Sequence, residues 1–206
     1  IVVSKNRPIS AIEELYNAGQ RDFGENKIQE LLEKDQQTLH LKDLRWHMIG
    51  HIQINKLKRL LSLQRLCAIH SVDREDLVQA LGNYQGDLSQ THGIGLFWEL
   101  NLSLDQTKYG FINQEQVRQG LLYFEKSPKI FNQGLMCMGP SVDDEHLTKT
   151  RKVFKEMNTI KNEWSQELGD LFPQGIKLSM GMSNDYKLAI EFNSDYLRVG
   201  SKLFTE

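Results

Sequence analysis

No apolar run in this sequence approaches the roughly 20 residues that a membrane-spanning helix needs, and no signal peptide opens it. The formal charge is only −2 over 206 residues, so nothing here attracts nucleic acid in bulk. The short basic run Lys56, Lys58 and Arg59 reads as a solvated helix face. Cysteine is scarce. Cys67 and Cys137 lie in apolar, strand-like runs without metal-ligand spacing, which argues for buried, reduced thiols and a cytoplasmic setting. There is no Pro/Gly/Ser-rich linker, no repeat in residue identity and no low-complexity tract. P-loop, serine-elbow and zinc motifs are also missing. The remaining composition, 39% hydrophobic and 25% charged, is that of a folded globular chain, and one domain spanning 1–206 is expected.

What is present is an alternation of short apolar runs and amphipathic segments. The strand candidates are 1–5, 21–25, 45–51, 66–73, 94–102, 131–139, 175–182 and 196–200. Between them, Ile12, Leu15 and Tyr16 share a helical face that Gly19 ends, and Ile28, Leu31 and Leu32 repeat the spacing. Leu77, Val78 and Leu81 follow a capping Asp73, and Val117, Leu121 and Leu122 form another face. The longest helix is expected from Asp144 to Leu168, carrying Leu147, Val153, Phe154, Met157, Ile160 and Trp164, and a last one carries Tyr186, Leu188, Ala189 and Ile190. Strands that never follow one another directly imply βαβ units and a parallel sheet, and eight of them suit a closed (β/α)8 TIM barrel. The competing open, doubly wound sheet places a glycine-rich loop after its first strand, and Ser4-Lys5-Asn6-Arg7-Pro8 contains no glycine. The chain opens on Ile1 rather than methionine, so an upstream segment such as a short N-terminal helix is expected to precede it.

In a barrel, the ends of the strands gather at one mouth. That mouth would hold Lys5, Glu25, Asn26, His51, His70, Ser183, Arg198, Gly200 and Ser201. First and last strands become neighbours, so the Lys5 amine faces loops carrying Ser183, Gly200 and Ser201. Hydroxyls and closely approachable backbone of this kind suit a phosphate. An amine opposite an anchored phosphate suggests a Schiff base with pyridoxal 5'-phosphate (PLP). Each feature also has a plain reading: a lysine at a strand end commonly lies in solvent, a serine after a strand commonly caps a helix, and Arg198 suits an ion pair equally well. A phosphate-sugar barrel enzyme that never meets PLP therefore stays open on these residues alone. His47 and His51 are about 13 Å apart along a strand, too far to chelate one ion; His47 is expected in the packed interior and His51 at the mouth. Glu25 with Glu99 invites a carboxylate-pair hydrolase reading that the sequence does not develop.

The stretches VVSKNRP, RDFGENKIQE, WHMIGHIQINK, IHSVD, QTKYGF, GLMCMGP, LSMGMSNDYKLAI and LRVGSKLF, in this order over nearly the whole chain, resemble the pyridoxal phosphate homeostasis protein family. These are single-domain relatives of the alanine racemase barrel, PLP fold type III. The resemblance implies that Lys5 carries PLP as a Schiff base and that Ser183, Gly200 and Ser201 bind its phosphate. It also implies that Arg198 faces the pyridine nitrogen and that Asn26 lies near the ring, with His51 in hydrogen-bond reach of ligand or loop. Ser201 stands where threonine is common, Tyr109 replaces a small residue, and Thr205 stands where the family has glycine.

A permanent cation at the pyridine nitrogen opposes its protonation and weakens the ring as an electron sink. Racemases of this fold also use a further β domain, which this sequence does not contain. The function implied is intracellular PLP (vitamin B6) and amino-acid homeostasis without robust catalysis, in a cytoplasmic monomer. Apo forms of PLP-dependent enzymes would be the recipients, with no nucleic acid or membrane partner. The alternative is a PLP-dependent amino-acid racemase or decarboxylase of the same fold.

Overall fold

The computed structural model describes residues 1–84, 86, 88, 93–103, 105, 107–125, 127, 129–140 and 145–204. Seven strands, β1 (Val2–Val3), β2 (Asp22–Glu25), β3 (Arg45–Met48), β4 (Leu66–Val72), β5 (Ile94–Glu99), β6 (Ile130–Met136) and β7 (Lys177–Ser179), form one sheet in chain order. Every neighbouring pair is parallel. Helices α1 (Ile9–Asn17), α2 (Ile28–Gln37), α3 (Ile54–Leu61), α4 (Glu75–Gly82), α5 (Gln114–Leu121), α6 (His146–Glu167) and α7 (Tyr186–Glu191) alternate with the strands.

The expected eighth strand, 196–200, is not a regular strand. Tyr196 bridges Ser179 and Val199 bridges Val2, one pair on each side. Six backbone bonds hold it: Tyr196 N to Leu178 O at 2.9 Å, Met180 N to Tyr196 O at 3.1 Å and Arg198 N to Gly181 O at 2.9 Å on one side, and Ile1 N to Leu197 O at 2.8 Å, Val199 N to Ile1 O at 3.0 Å and Val3 N to Val199 O at 2.8 Å on the other. The bonds to Gly181 and Ile1 lie beyond the ends of β7 and β1, so the pairing consists of isolated bridges rather than a regular ladder.

Side chains along the strands alternate between two surfaces. Trp46, Met48, Ile69, Leu96, Trp98, Leu135 and Leu178 join the large core under the helices. On the other surface Ala68, Phe97 and Met136 form a separate small cluster, against which Met138 and Tyr196 pack. His47, His70 and Ser179 are also buried there, so the sheet's inner surface is largely polar and aromatic.

Gly19 takes φ +102°, a conformation costly for other residues, and ends α1 where the sequence pattern stops it. Asp73 does not cap α4: Arg74 occupies that position without a side-chain bond, and Asp73 is drawn instead to Arg74 and His51. In the longest helix, Val153, Phe154, Met157, Ile160 and Trp164 are buried, whereas Leu147 is 58% exposed; the expected start, Asp144, lies outside the described residues. Leu122 and Ile190 are likewise exposed, each at the end of a helical face, beyond the reach of the sheet.

Candidate functional site

A cleft of about 590 Å³ opens at the carboxyl ends of the strands. Its lining includes Lys5 and Asn26 from the loops after β1 and β2, Gly139 after β6, Ser183 and Asp185 after β7, and Arg198, Gly200 and Ser201 from the last segment. The structure thus brings together Lys5, Asn26, Ser183, Arg198, Gly200 and Ser201. Its charged side chains are three cations, Lys5, Lys108 and Arg198, against one carboxylate, Asp185. A chain that is acidic as a whole therefore concentrates positive charge in one concave place, which suits an anion.

Lys5 is exposed at the tip of a loop whose base is fixed. The buried ammonium of Lys34, on α2, donates to Ser4 O at 2.6 Å, Glu25 Oε1 at 2.7 Å and Glu30 Oε1 at 2.7 Å. The Ser4 hydroxyl donates to the same Glu25 oxygen at 2.7 Å, and Asn6 N–H donates to Glu30 at 2.6 Å. Asn6 takes φ +58°, a left-handed conformation that asparagine tolerates better than most residues. Burial pushes the Glu25 carboxyl up, while the bonds from Lys34 and Ser4 oppose that rise. Both backbone neighbours of Lys5 are thereby tied to α2, and its amine is left free to reach the cleft.

Two loops form the facing wall. The turn after β7 is closed by Met182 N to Asp185 Oδ1 at 2.6 Å and Tyr186 N to Met182 O at 2.8 Å. Gly181 precedes it at φ +95°, where a β-carbon would lie 2.5 Å from that of Ala189. Gly200 N–H donates to Ser183 Oγ at 3.3 Å, joining the two loops directly. With its oxygen already accepting, the Ser183 hydroxyl proton is available to an anion in the cleft.

Arg198 is buried. It donates Nη1 to Ser179 Oγ at 2.6 Å and Nη2 to Cys137 O at 3.0 Å, rather than forming an ion pair. Burial pulls its pKa down, but an arginine stays protonated in proteins. Cys137 beside it is pushed up to about 12 by burial, which makes it an inert thiol. Cys67 is half-buried and also free.

His51 lies outside this cleft. It lines an adjacent groove of about 290 Å³ that shares Asn26, bonds Asp73 through Nδ1 at 2.6 Å, and stacks on Tyr109 with ring centroids 4.1 Å apart. His47 is buried on the inner surface of the sheet, and the carboxylates of the hydrolase reading are separated by role: Glu25 supports Lys5, and Glu99 sits near Asp73 and Arg198. Lys108, Gly139, His146 and Asp185 line the cleft without having been singled out from sequence. Lys108 lies in the KYGF stretch and Gly139 in GLMCMGP, so both were within reach of motif reasoning.

The family described as alanine racemase, N-terminal domain, matches residues 6–206. A pyridoxal phosphate homeostasis protein of Helicobacter pylori is 36% identical over 208 residues, covering 100% of this chain and 86% of the relative. The protein of that name in Schizosaccharomyces pombe is 33% identical over 204 residues, covering 99% and 82%. The structure of PipY from Synechococcus elongatus with PLP bound superposes with a TM-score of 0.85 at 33% identity, covering 100% of this chain and 91% of that one.

Proposed function

Because the chain belongs to the alanine racemase N-terminal domain family, and within it to the pyridoxal phosphate homeostasis proteins, we propose that it binds PLP at Lys5 and serves PLP homeostasis. The observation that carries this reading is the meeting of the Lys5 amine with Ser183, Gly200 and Ser201 in one cleft whose charged lining is mainly cationic. The lining fits the parts of the cofactor. A phosphate dianion suits the joined loops of Ser183 and Gly200, with Ser201 beside them. A ring nitrogen acting as an acceptor suits the Arg198 side of the cleft, and Asn26 provides a polar contact near the ring. PLP supplies an aldehyde that condenses reversibly with an amine.

The protein's own contribution is binding and orientation. The α2 network holds the Lys5 loop, and the bond between Gly200 and Ser183 fixes the facing wall. Arg198 keeps a permanent positive charge buried beside the cleft, which opposes a proton on a neighbouring ring nitrogen. This supports a cofactor-holding protein without robust amino-acid turnover. We read the segment 196–200 as the eighth strand that closes a (β/α)8 barrel in a single domain, supported by its bonds to β7 and β1. The two free thiols support a reducing, cytoplasmic setting.

The test is an absorbance spectrum of the purified protein with PLP, before and after borohydride, followed by peptide mass mapping. The expected result is a visible band that reduction abolishes, with the added mass on Lys5 and none in Lys5→Ala. A colourless protein with excess PLP overturns the reading. Steady, Lys5-dependent product formation from any amino acid in a panel would overturn the non-catalytic part of it. Release of bound PLP to an apo-enzyme, restoring that enzyme's activity, is the outcome expected of a carrier.

A further inference from the structure

Four hydrogen bonds in series cross the inner surface of the sheet. Arg198 Nη1 donates to Ser179 Oγ at 2.6 Å, and Ser179 Oγ lies 2.8 Å from His70 Nδ1. His70 Nε2 lies 3.0 Å from His47 Nδ1, and His47 Nε2 lies 3.0 Å from Asp22 Oδ1. Arg198 lines the cleft, whereas Asp22 stands at the start of β2, the opposite end of that strand from the cleft. His47, His70, Ser179 and Arg198 are all buried.

The two ends of this series decide its direction. A guanidinium only donates and an ionised carboxylate only accepts. Burial, the largest influence on both rings, holds His47 and His70 below the usual histidine range, so each is neutral and carries one proton. If the proton between the rings were on His47 Nδ1, the bare His47 Nε2 would face the Asp22 carboxylate, acceptor against acceptor. Ser179 would then receive two donors and leave its own proton without a partner in the series. With the proton on His70 Nε2, all four bonds are made: Arg198 to Ser179, Ser179 to His70, His70 to His47, and His47 to Asp22.

We propose that His70 and His47, both as Nε2–H tautomers, are positioning residues that lock the Arg198 guanidinium through Ser179. The series is a lock and not a proton relay, since reversing it requires Arg198 to give up a proton and then accept one. Its consequence for the cleft, which rests on the PLP reading above, is that the cation beside the cofactor ring is held in one place. Without Ser179 the guanidinium keeps one bond, Nη2 to Cys137 O at 3.0 Å, and a single bond leaves its orientation unfixed.

Long-range ¹⁵N–¹H correlation spectra of the PLP-free protein at neutral pH test the inference directly. His70 and His47, assigned with His70→Gln and His47→Gln, are expected to show protonated Nε2 and bare Nδ1. A protonated Nδ1 on either ring overturns it. The Arg198 Nη nitrogens are expected as separate, slowly exchanging signals in the native protein and in Ser179→Thr, and as one averaged signal in Ser179→Ala. Separate signals in a folded Ser179→Ala protein also overturn it. With PLP added, the lock predicts a displaced absorbance band in Ser179→Ala and a native band in Ser179→Thr. Absence of any band in the native protein counts against the cofactor reading, while the tautomers and Arg198 signals still decide the lock.

Discussion

Lys34 Nζ lies 2.7 Å from Glu25 Oε1 and is almost fully buried with it, directly beneath the loop that presents Lys5. One cation there serves Glu25, Glu30 and the carbonyl of Ser4, so the position of the cleft's amine depends on a buried ion pair one helix away.

Replacing Lys34 with methionine removes the cation and leaves Glu25 buried without it. Breaking a buried pair from one side costs about 3 kcal/mol or more. Urea unfolding of Lys34→Met is expected to show that loss. The double variant Lys34→Met/Glu25→Gln should recover part of it, since no buried charge then remains unpaired at that position. An unchanged unfolding midpoint in the single variant would show that the pair contributes nothing.

Burial raises Glu99 to about 7, with Asp73 adding to the rise and Arg198 opposing it. A carboxyl with a raised folded-state pKa binds its proton more tightly in the native protein. Stability therefore falls as pH climbs from about 4.5 toward 7 and levels off above that. The unfolding free energy of the native protein relative to Glu99→Gln should fall over this window by roughly 3 kcal/mol at most. A difference independent of pH would show an ordinary carboxyl at this position.

His70 has the opposite sign. Burial, then the nearby His47 and Arg198, hold its pKa well below 6.5, so the unfolded chain takes up a proton that the folded one refuses. Its contribution is complete above 6.5 and is lost as pH falls below that value. Between pH 7 and 5, His70→Gln should lose less of its unfolding free energy than the native protein loses, although it begins less stable. Parallel losses in the two proteins would contradict a neutral His70.

Gly181 takes φ +95°, and a methyl there would lie 2.5 Å from the Ala189 side chain. Gly181→Ala combines backbone strain with overpacking, and a loss of about 2 kcal/mol or more is expected. The displaced turn carries Ser183, so the chemical-shift response of that turn to inorganic phosphate should weaken in the same variant. A native response in the variant would remove Gly181 from the positioning of the cleft wall.

The alternation of strands and helices was legible in the chain, because apolar spacing reports local period directly. It also placed Lys5, Asn26, Ser183, Arg198, Gly200 and Ser201 at strand ends, and a parallel alternating sheet carries all such ends to one side. What those residues touch depends on segments far away in the chain. His51 was legible as a strand-end residue, yet Asp73 and Tyr109, distant in sequence, draw it into a neighbouring groove. The segment 196–200 has the apolar pattern of a strand, but it meets β7 and β1 through one isolated bridge each, a register that only the folded sheet sets. The bonded series from Arg198 to Asp22 was wholly hidden, since it joins residues of five different segments through side chains on the inner surface of the sheet. Local spacing fixes which way a side chain points; which polar group meets it there is set by strand order and register, and those exist only in the folded sheet.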